Sequence, residues 1–240
     1  MDGVILAVQS YYDAQKLRIS LSNRIGDLVR EKHFTQEEAD FRFSPAFDFL
    51  KKAEHVFAKD IKHESKEHPM YPWLISVRGI GPVLAGGLLA YIRDIGRFDT
   101  VSKLWAYVGL HVIDGVAPKR RRGEKANWST PLKTLCWKIG ESFVKARGPY
   151  RDLYDSYKAR DREKHPEKID SGRKSKAGTA IYTYSDGHIH ARAKRYAVKI
   201  FLSHLWEVWR KQEGLPVRDP YALEVLGHTT KIEPELVEVG

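Results

Sequence analysis

Residues 74–92 read Leu-Ile-Ser-Val-Arg-Gly-Ile-Gly-Pro-Val-Leu-Ala-Gly-Gly-Leu-Leu-Ala-Tyr-Ile, and this stretch predicts two helices joined by a tight turn. Gly79-Ile80-Gly81 turns the backbone, because glycine permits positive φ. Pro82 opens the second helix, since the first helical position needs no amide hydrogen. A helix N-terminus after such a turn presents free N–H groups to a phosphate. The pattern is typical of a helix-hairpin-helix that contacts the nucleic-acid backbone; the alternative is an αα-turn packed only against protein.

The composition favours a folded protein with a polyanionic partner. The chain has 240 residues, of which 42% are hydrophobic, so it can bury one large core or two modest ones. Lys and Arg number 41 against 31 Asp and Glu, which gives a net charge of +10 and a pI near 9.5. Nucleic acid, as double-stranded DNA, is the expected partner. A basic protein without such a partner is the alternative.

Several kinds of site are not expected. The single cysteine, Cys136, excludes an intramolecular disulfide and a multi-cysteine zinc site. No apolar stretch approaches the ~18 residues of a membrane span, and no secretory signal is recognisable at the N-terminus. We therefore predict a cytoplasmic protein without membrane contact, and we expect no cofactor and no bound metal.

The helical periodicity predicts a mainly α fold in three parts. Residues 1–70 form a helical arm or hairpin, residues 71–165 a domain that contains the helix-hairpin-helix, and residues 166–240 a basic loop, a long helix and a tail that pack on the same core. In the arm, a helix over 2–32 has Gly26 as a candidate break, Thr35 caps a second helix, and Ser44-Pro45 begins a third. Residues 1–68 are a candidate surface for homodimerisation.

The later helices are predicted from their caps. Asp99 or Thr100 begins a helix that stops at Gly109, and Ser129 or Thr130 begins the next, which Gly148-Pro149 interrupts. Further predictions are a helix over 150–165, a mobile basic loop over 166–187 in which 181–184 could form a strand, a helix over about 188–212 capped by Asp186, and a short helix around 220–226.

Basic residues gather in two irregular segments and on one helix face. Flexible basic loops neutralise several phosphates and release their counterions, whereas a solvated charge run is the alternative. The face of the long helix that carries Arg192, Lys194, Arg195 and Lys199 could add to the same surface. The predicted DNA-binding residues are Arg78, Gly79, Ile80, Gly81, Lys119, Arg120, Arg121, Arg122, Arg173, Lys174 and Lys176.

Three elements carry a resemblance to a known family: Val77–Ala85, Gly96-Arg97-Phe98 and Leu104–Leu110, the last reading Leu-Trp-Ala-Tyr-Val-Gly-Leu. Over roughly residues 71–160, the chain resembles the C-terminal domain of IS110/IS116/IS902 transposases. Members of that family join a RuvC-like nuclease domain to this domain, which supplies a serine nucleophile.

Two departures from that family change the expected activity. The first 70 residues read as helices, so the nuclease domain is expected to be absent. Asp114 precedes Gly115 where the family has its serine, and an aspartate cannot form a phosphoserine linkage to DNA. The resemblance thus implies DNA binding without the recombination chemistry, and no catalytic residue is assigned.

Two alternatives stay open. The first is a metal-dependent transposase or nuclease that acts with a partner, for which Asp186, His188 and His190 are candidate ligands near Asp94, Asp99 and Asp114. Alternate residues of a helix lie about 200° apart, however, which disfavours this cluster. Ser129 and Ser171 are weak candidate nucleophiles, because a serine needs an activating base or metal. The second alternative is a helical interaction module built on residues 1–68.

Overall fold

The computed structural model describes residues 1–112, 117–120, 122–175, 177–218 and 232. Over these residues the fold is mainly α, as predicted, with one small two-stranded sheet. A short 3₁₀ helix, Ile95–Arg97, lies between the fourth and fifth helices. The helices and strands are α1 Asp2–Arg30, α2 Gln36–Ser65, α3 Tyr71–Ser76, α4 Pro82–Ile92, α5 Val101–Val108, α6 Thr130–Ala146, α7 Pro149–Lys164, β1 Ile169–Lys174, β2 Ala180–Thr183 and α8 Asp186–Gln212.

The chain divides into two compact units and passes from one to the other three times, the second time inside the glycine turn, between Ile80 and Gly81. The first unit contains Met1–Tyr71 and Gly81–Arg93, and the second contains Pro72–Ile80 and Asp94–Gly240. Helix α4 therefore belongs to the unit of α1 and α2, whereas α3 belongs to the other unit except for its first residue, Tyr71. The three-part division that we predicted from the sequence stays a prediction.

The first unit is built on the antiparallel pair α1 and α2 with α4 against them. Its core includes Val4, Val8, Ile61 and Ala90. Gly86 of α4 allows the close approach, because a Cβ there would lie 2.4 Å from Cγ2 of Ile61. Homodimerisation through residues 1–68 stays a prediction. Several large apolar side chains of α1 and α2 are exposed: Leu6, Leu17, Ile19, Phe41, Phe49 and Val56.

Two predictions for this unit were wrong. Helix α1 continues through Gly26 without a break, and α2 continues through Ser44 and Pro45 instead of ending there. Pro45 removes one amide donor from the helix interior. The helix nevertheless continues to Ser65, with buried residues on both sides of the proline: Ala39 before it, and Glu54, Ile61 and Ser65 after it. The predicted Thr35 cap is confirmed, and its partner in the capping box is Glu38.

The second unit has an aromatic core between α6, α7 and α8. Phe143 of α6 stacks on Tyr150 of α7 at 4.7 Å and meets Phe201 of α8 edge-on at 5.3 Å. Trp73 of α3 stacks on Phe201 at 6.1 Å. Phe143 and Phe201 are fully buried, so these rings fix the mutual positions of the helices that carry the basic residues.

Caps define the helix ends in this unit. Thr100 caps α5, Gly109 ends it with φ +75°, and Ser129 caps α6, as predicted. The prediction of Asp186 as the cap of α8 was wrong by one residue, since Ser185 accepts from the backbone N–H of His188. None of the helices in the described part of the chain is long and apolar enough to cross a membrane.

Candidate nucleic-acid interface

Gly79 is packed against helix α6. Its φ is +104°, and a Cβ at this position would lie 3.1 Å from Cδ1 of Phe143 and 3.2 Å from Cβ of Ala146. The carbonyl oxygen of Gly79 accepts a hydrogen bond from Oγ of Ser142 at 2.6 Å. Both backbone conformation and packing therefore require glycine here, which is sufficient to explain the residue without a ligand.

The other two residues of the turn differ from each other. The N–H of Ile80 donates to the carbonyl of Val77 at 2.9 Å, and the Ile80 side chain is buried. A phosphate could use this amide only by sharing it. Gly81 precedes Pro82 as the N-cap of α4 with an extended backbone (φ −93°), and no described atom lies within 4 Å of where its Cβ would be. Gly81 is thus the open residue of the turn.

Arg78 is exposed, and its aliphatic stem covers the start of α7. A Cβ at Gly148 would lie 3.0 Å from Cβ of Arg78. Arg78 also lines a cavity of about 290 Å³ whose walls are mainly apolar but include the carboxylate of Asp152. The other described lining residues are Trp73, Ser76, Val77, Pro149, Tyr150, Leu153, His204 and Ile232.

A larger cavity of the second unit, which we call the basic groove, is lined by Lys and Arg side chains from three segments that are far apart in sequence. Its volume is about 580 Å³. Lys119 comes from the loop before α6, Arg173 from β1, and three cations from α8. Among its described lining residues there is no Asp or Glu; they are Val112, Ala117, Lys119, Tyr157, Arg173, Thr183, Tyr184, His188, Arg192, Arg195, Tyr196 and Lys199.

The three α8 cations of the groove have different surroundings. Arg192 is neutralised by Asp161, with 3.1 Å between Nε and Oδ2. Arg195 donates from one guanidinium nitrogen to the carbonyls of Leu110 and His111 at 2.5 and 2.7 Å. It thereby fixes the chain just before residues 113–116. Burial lowers the pKa of Arg195, and an arginine stays charged even so.

Lys199 lies against Trp105 of α5. Its Nζ is 3.9 Å from the centroid of the indole ring, and Nε1 of Trp105 donates to the backbone carbonyl of Lys199 at 3.1 Å. Burial, and secondarily the charge of Arg195, lowers the pKa of Lys199 to about 8. The fourth predicted cation of this face, Lys194, points elsewhere and pairs with Glu141.

The basic loop, residues 119–122, is held at its start by helix α6. Nζ of Lys133 donates to the carbonyl of Pro118 at 3.0 Å and lies 4.4 Å from the ring centroid of Trp128. Lys119 reaches the groove, and Arg120 and Arg122 are exposed. Arg121, together with Asp114 and Gly115, lies outside the described residues. The consequence of Asp114 for catalysis therefore stays a prediction.

The prediction of a mobile loop over 166–187 was wrong for most of the segment, because strands β1 and β2 form an antiparallel hairpin there; the candidate strand over 181–184 overlaps β2. Arg173 pairs with Ile181 across it, and Oγ of Ser171 donates to the Ile181 carbonyl. The strand β1 could not be recognised from an apolar–polar alternation, because its residues after Ile169 are polar or glycine and both of its faces are largely exposed. The hairpin carries Arg173 into the groove and leaves Lys174 exposed, while Lys176 lies outside the described residues.

The residues that carry the family resemblance support α8. The guanidinium of Arg97 lies 5.4 Å from the ring centroid of Phe98 and 5.1 Å from that of Tyr107. The Phe98 carbonyl accepts from Nε1 of Trp206 at 2.7 Å and from Nη1 of Arg210 at 3.1 Å. Together with the Leu110 carbonyl, which binds Arg195, these groups position the helix that lines the groove.

The candidate metal ligands have separate partners. Asp186 pairs with Arg162, Nδ1 of His188 accepts from the backbone N–H of Tyr184 at 2.8 Å, and Nδ1 of His190 lies 2.6 Å from the hydroxyl of Tyr154. Asp94 accepts from Gly96 N–H, and Asp99 pairs with Lys103. In the ranges that the structure describes, no group of three His, Cys, Asp or Glu side chains could hold a metal ion.

Sequence reasoning missed the aromatic part of the groove. Tyr157 of α7 stacks on Tyr196 of α8 at 4.6 Å, and the guanidinium of Arg192 lies 5.2 Å from the ring centroid of Tyr184. Tyr184 falls in the candidate strand over 181–184, and Tyr157 falls in the predicted helix over 150–165; neither was predicted to belong to a site. No local pattern shows that they share one cavity, because their proximity depends on how α7, α8 and the hairpin pack.

The fold and the groove define a mainly α protein with a concentrated basic surface in its second unit. Residues 72–154 match the model of the Transposase IS116/IS110/IS902 family, which confirms the predicted relationship for this segment. The match spans less than half of the chain and ends within α7, so β1, β2 and α8 lie beyond it. No curated protein matches the chain.

Proposed function

We propose that the protein binds double-stranded DNA through the phosphate backbone. The basic groove and the basic loop are the main contact surface, and the glycine turn with Arg78 is a secondary one. The observation that carries this proposal is the convergence of Lys119, Arg173 and the α8 cations on one cavity without a carboxylate among its described lining residues. The relationship of residues 72–154 to transposases supports a nucleic-acid partner.

This arrangement suits backbone contact better than base readout. Lys119 and Arg173 lie on exposed loop and strand positions, where long side chains reach phosphates from several directions. Each neutralised phosphate releases condensed counterions, so binding to duplex DNA is expected to weaken steeply as the salt concentration rises. Contacts of this kind position a protein on DNA without reading its sequence.

The basic loop provides the first test. Replacing Lys119, Arg120, Arg121 and Arg122 together with alanine is expected to reduce duplex affinity and to lower the slope of log K against log salt by up to about 3.6, at about 0.9 for each lost phosphate contact. The measurement is fluorescence anisotropy with a 30-base-pair duplex of arbitrary sequence, titrated at 50, 100 and 200 mM salt.

A matched control removes the same charge elsewhere. Lys51, Lys52, Lys59 and Lys62 are exposed on α2 of the first unit, and their replacement by alanine also lowers the net charge by four. The control is expected to keep most of the affinity and of the salt slope. Equal losses in both variants would show that net charge alone determines binding and would overturn the assignment of the basic loop.

A further inference from the structure

Lys199 of α8 is a half-buried cation. Its ammonium lies over the ring of Trp105 at 3.9 Å and lines the basic groove. The described residues provide no carboxylate partner for it. An aromatic ring attracts an ammonium but carries no net charge, so the charge of this group remains available to an anion that enters the groove.

Arg195 lies one helical turn before Lys199 on the same face of α8, since residues four apart are neighbours on a helix surface. One of its nitrogens is occupied by the carbonyls of Leu110 and His111. A guanidinium has five N–H donors, and among the described residues the other two nitrogens of Arg195 make no hydrogen bond. The two neighbouring cations thus form a pair that an external anion can neutralise.

We propose that Arg195 and Lys199 together bind one phosphate of the nucleic acid inside the basic groove, and that a proton is taken up on Nζ of Lys199 when this phosphate binds at alkaline pH. The inference rests on the proposed function and adds a defined phosphate site to it. The proton comes from solvent, and no covalent bond forms or breaks.

The surroundings of Lys199 explain why its protonation responds to a phosphate. Burial comes first and the charge of Arg195 second in lowering the pKa of Lys199 to about 8. A bound phosphate brings the opposite charge and raises that pKa again. The charged and titratable groups that line the groove with Lys199 are Arg192, Arg195, His188 and Tyr196 of α8, Tyr157 of α7, Arg173 of β1, Tyr184 and Lys119.

The direction of the pH effect follows from these shifts. Below pH 8 the ammonium of Lys199 is already charged in the free protein, so phosphate binding takes up little or no proton. Above pH 8 the free protein carries a neutral amine, and binding must protonate it. Affinity is therefore expected to fall by about tenfold between pH 7 and pH 9, through the linkage between proton binding and complex formation.

The experiment compares the full-length wild-type protein with Lys199→Arg and Lys199→Gln, using the same 30-base-pair duplex at pH 7 and pH 9 and constant salt. The wild type is expected to lose about tenfold in affinity. Lys199→Arg stays charged at both pH values, so its affinity is expected to change by less than about twofold. Lys199→Gln is expected to bind weakly and without pH dependence.

Calorimetry of the wild type provides a measurement that needs no variant. At pH 8.5, the binding enthalpy is expected to differ between two buffers of different ionisation enthalpy, which reports the proton taken up. The same measurement on Lys199→Arg assigns the proton to Lys199, and thermal melting checks that both variants are folded.

The outcomes separate this inference from the proposed function. Absence of salt-dependent duplex binding by the wild type at pH 7 would overturn both. Salt-dependent binding with a flat wild-type pH profile, or the same pH dependence in Lys199→Arg, would overturn the phosphate site at Lys199 and leave the proposed DNA binding in place.

Discussion

The glycine turn and the basic groove differ in how many of their polar and charged groups are already paired with other groups of the protein. At the turn, Gly79 packs on Phe143, its carbonyl accepts from Ser142, and the Ile80 amide donates to Val77. In the groove, Lys199 and Arg195 keep their charges without a carboxylate partner among the described residues. Polar groups that are satisfied internally serve the fold, whereas unneutralised charges in a cavity favour a ligand.

This difference separates the element with the strongest sequence pattern from the surface with the strongest binding chemistry. The turn is recognisable because steric requirements restrict its residue types. The groove has no such pattern, since long charged side chains can reach it from many backbone positions. A family motif therefore marks where the backbone is most constrained, and the ligand can lie against other residues.

The largest expected effect in this comparison is on stability. Gly79→Ala places a methyl group against Phe143 and Ala146 at a φ of +104°, and it is expected to lower the free energy of unfolding by about 1–3 kcal/mol. Gly81→Ala is the control, because its backbone is extended and its surroundings are open. Chemical denaturation followed by circular dichroism measures both.

The same pair of variants also tests whether the turn binds DNA. Gly81→Ala is expected to change stability by less than about 0.5 kcal/mol and to reduce duplex affinity only slightly. A strong loss of affinity in Gly81→Ala, without loss of stability, would reverse our ranking and make the turn the main contact.

An intermediate effect is expected at the edge of the groove. Arg173→Ala removes an exposed cation of β1 whose side chain lines the groove. The salt slope of duplex binding is expected to fall by about 0.9, as for one phosphate contact, with unchanged thermal stability. Lys174 is the exposed neighbour of Arg173 on the same strand, and Lys174→Ala tests whether position within the groove matters. An equal decrease of the salt slope in Lys174→Ala would indicate a diffuse basic surface.

The smallest effect is expected for Arg78. Its aliphatic stem packs over Gly148, and its cavity contains the carboxylate of Asp152, which offsets part of the positive potential. Arg78→Ala is therefore expected to lower the salt slope by less than about 0.9. The salt slope of Arg78→Ala is measured by the same titrations as that of Arg173→Ala. A larger decrease of the slope in Arg78→Ala than in Arg173→Ala would contradict the ranking of the basic groove above the glycine turn.

Local sequence patterns predicted most of the fold. The caps Thr35, Thr100 and Ser129, together with Pro82 and Gly109, define helix ends through short-range hydrogen bonds and φ preferences. Predictions went wrong where distant packing decides the outcome. Helix α2 continues through Pro45 with α1 and α4 packed against it, and the β1–β2 hairpin forms from residues most of which are exposed.

The candidate site was predictable only in part. The charge runs at 119–122 and 173–176 indicated basic surfaces, and the spacing of Arg192, Arg195 and Lys199 indicated a common helix face. The sequence could not show that Lys194 turns to Glu141 or that Asp161 neutralises Arg192, because both carboxylates lie on other helices. It also could not show that Lys199 is desolvated against Trp105.

The assignment of α4 to the first unit has a consequence for dissecting the protein into pieces. A fragment that starts at residue 72, where the family match begins, would contain α4 without the helices that cover Gly86 and Ala90. Its apolar surface would face water and favour self-association. Helices α1 and α2 thus cover the apolar surface of α4, a helix of the matched segment. We therefore expect that residues 1–71 and the matched segment must be produced as one polypeptide.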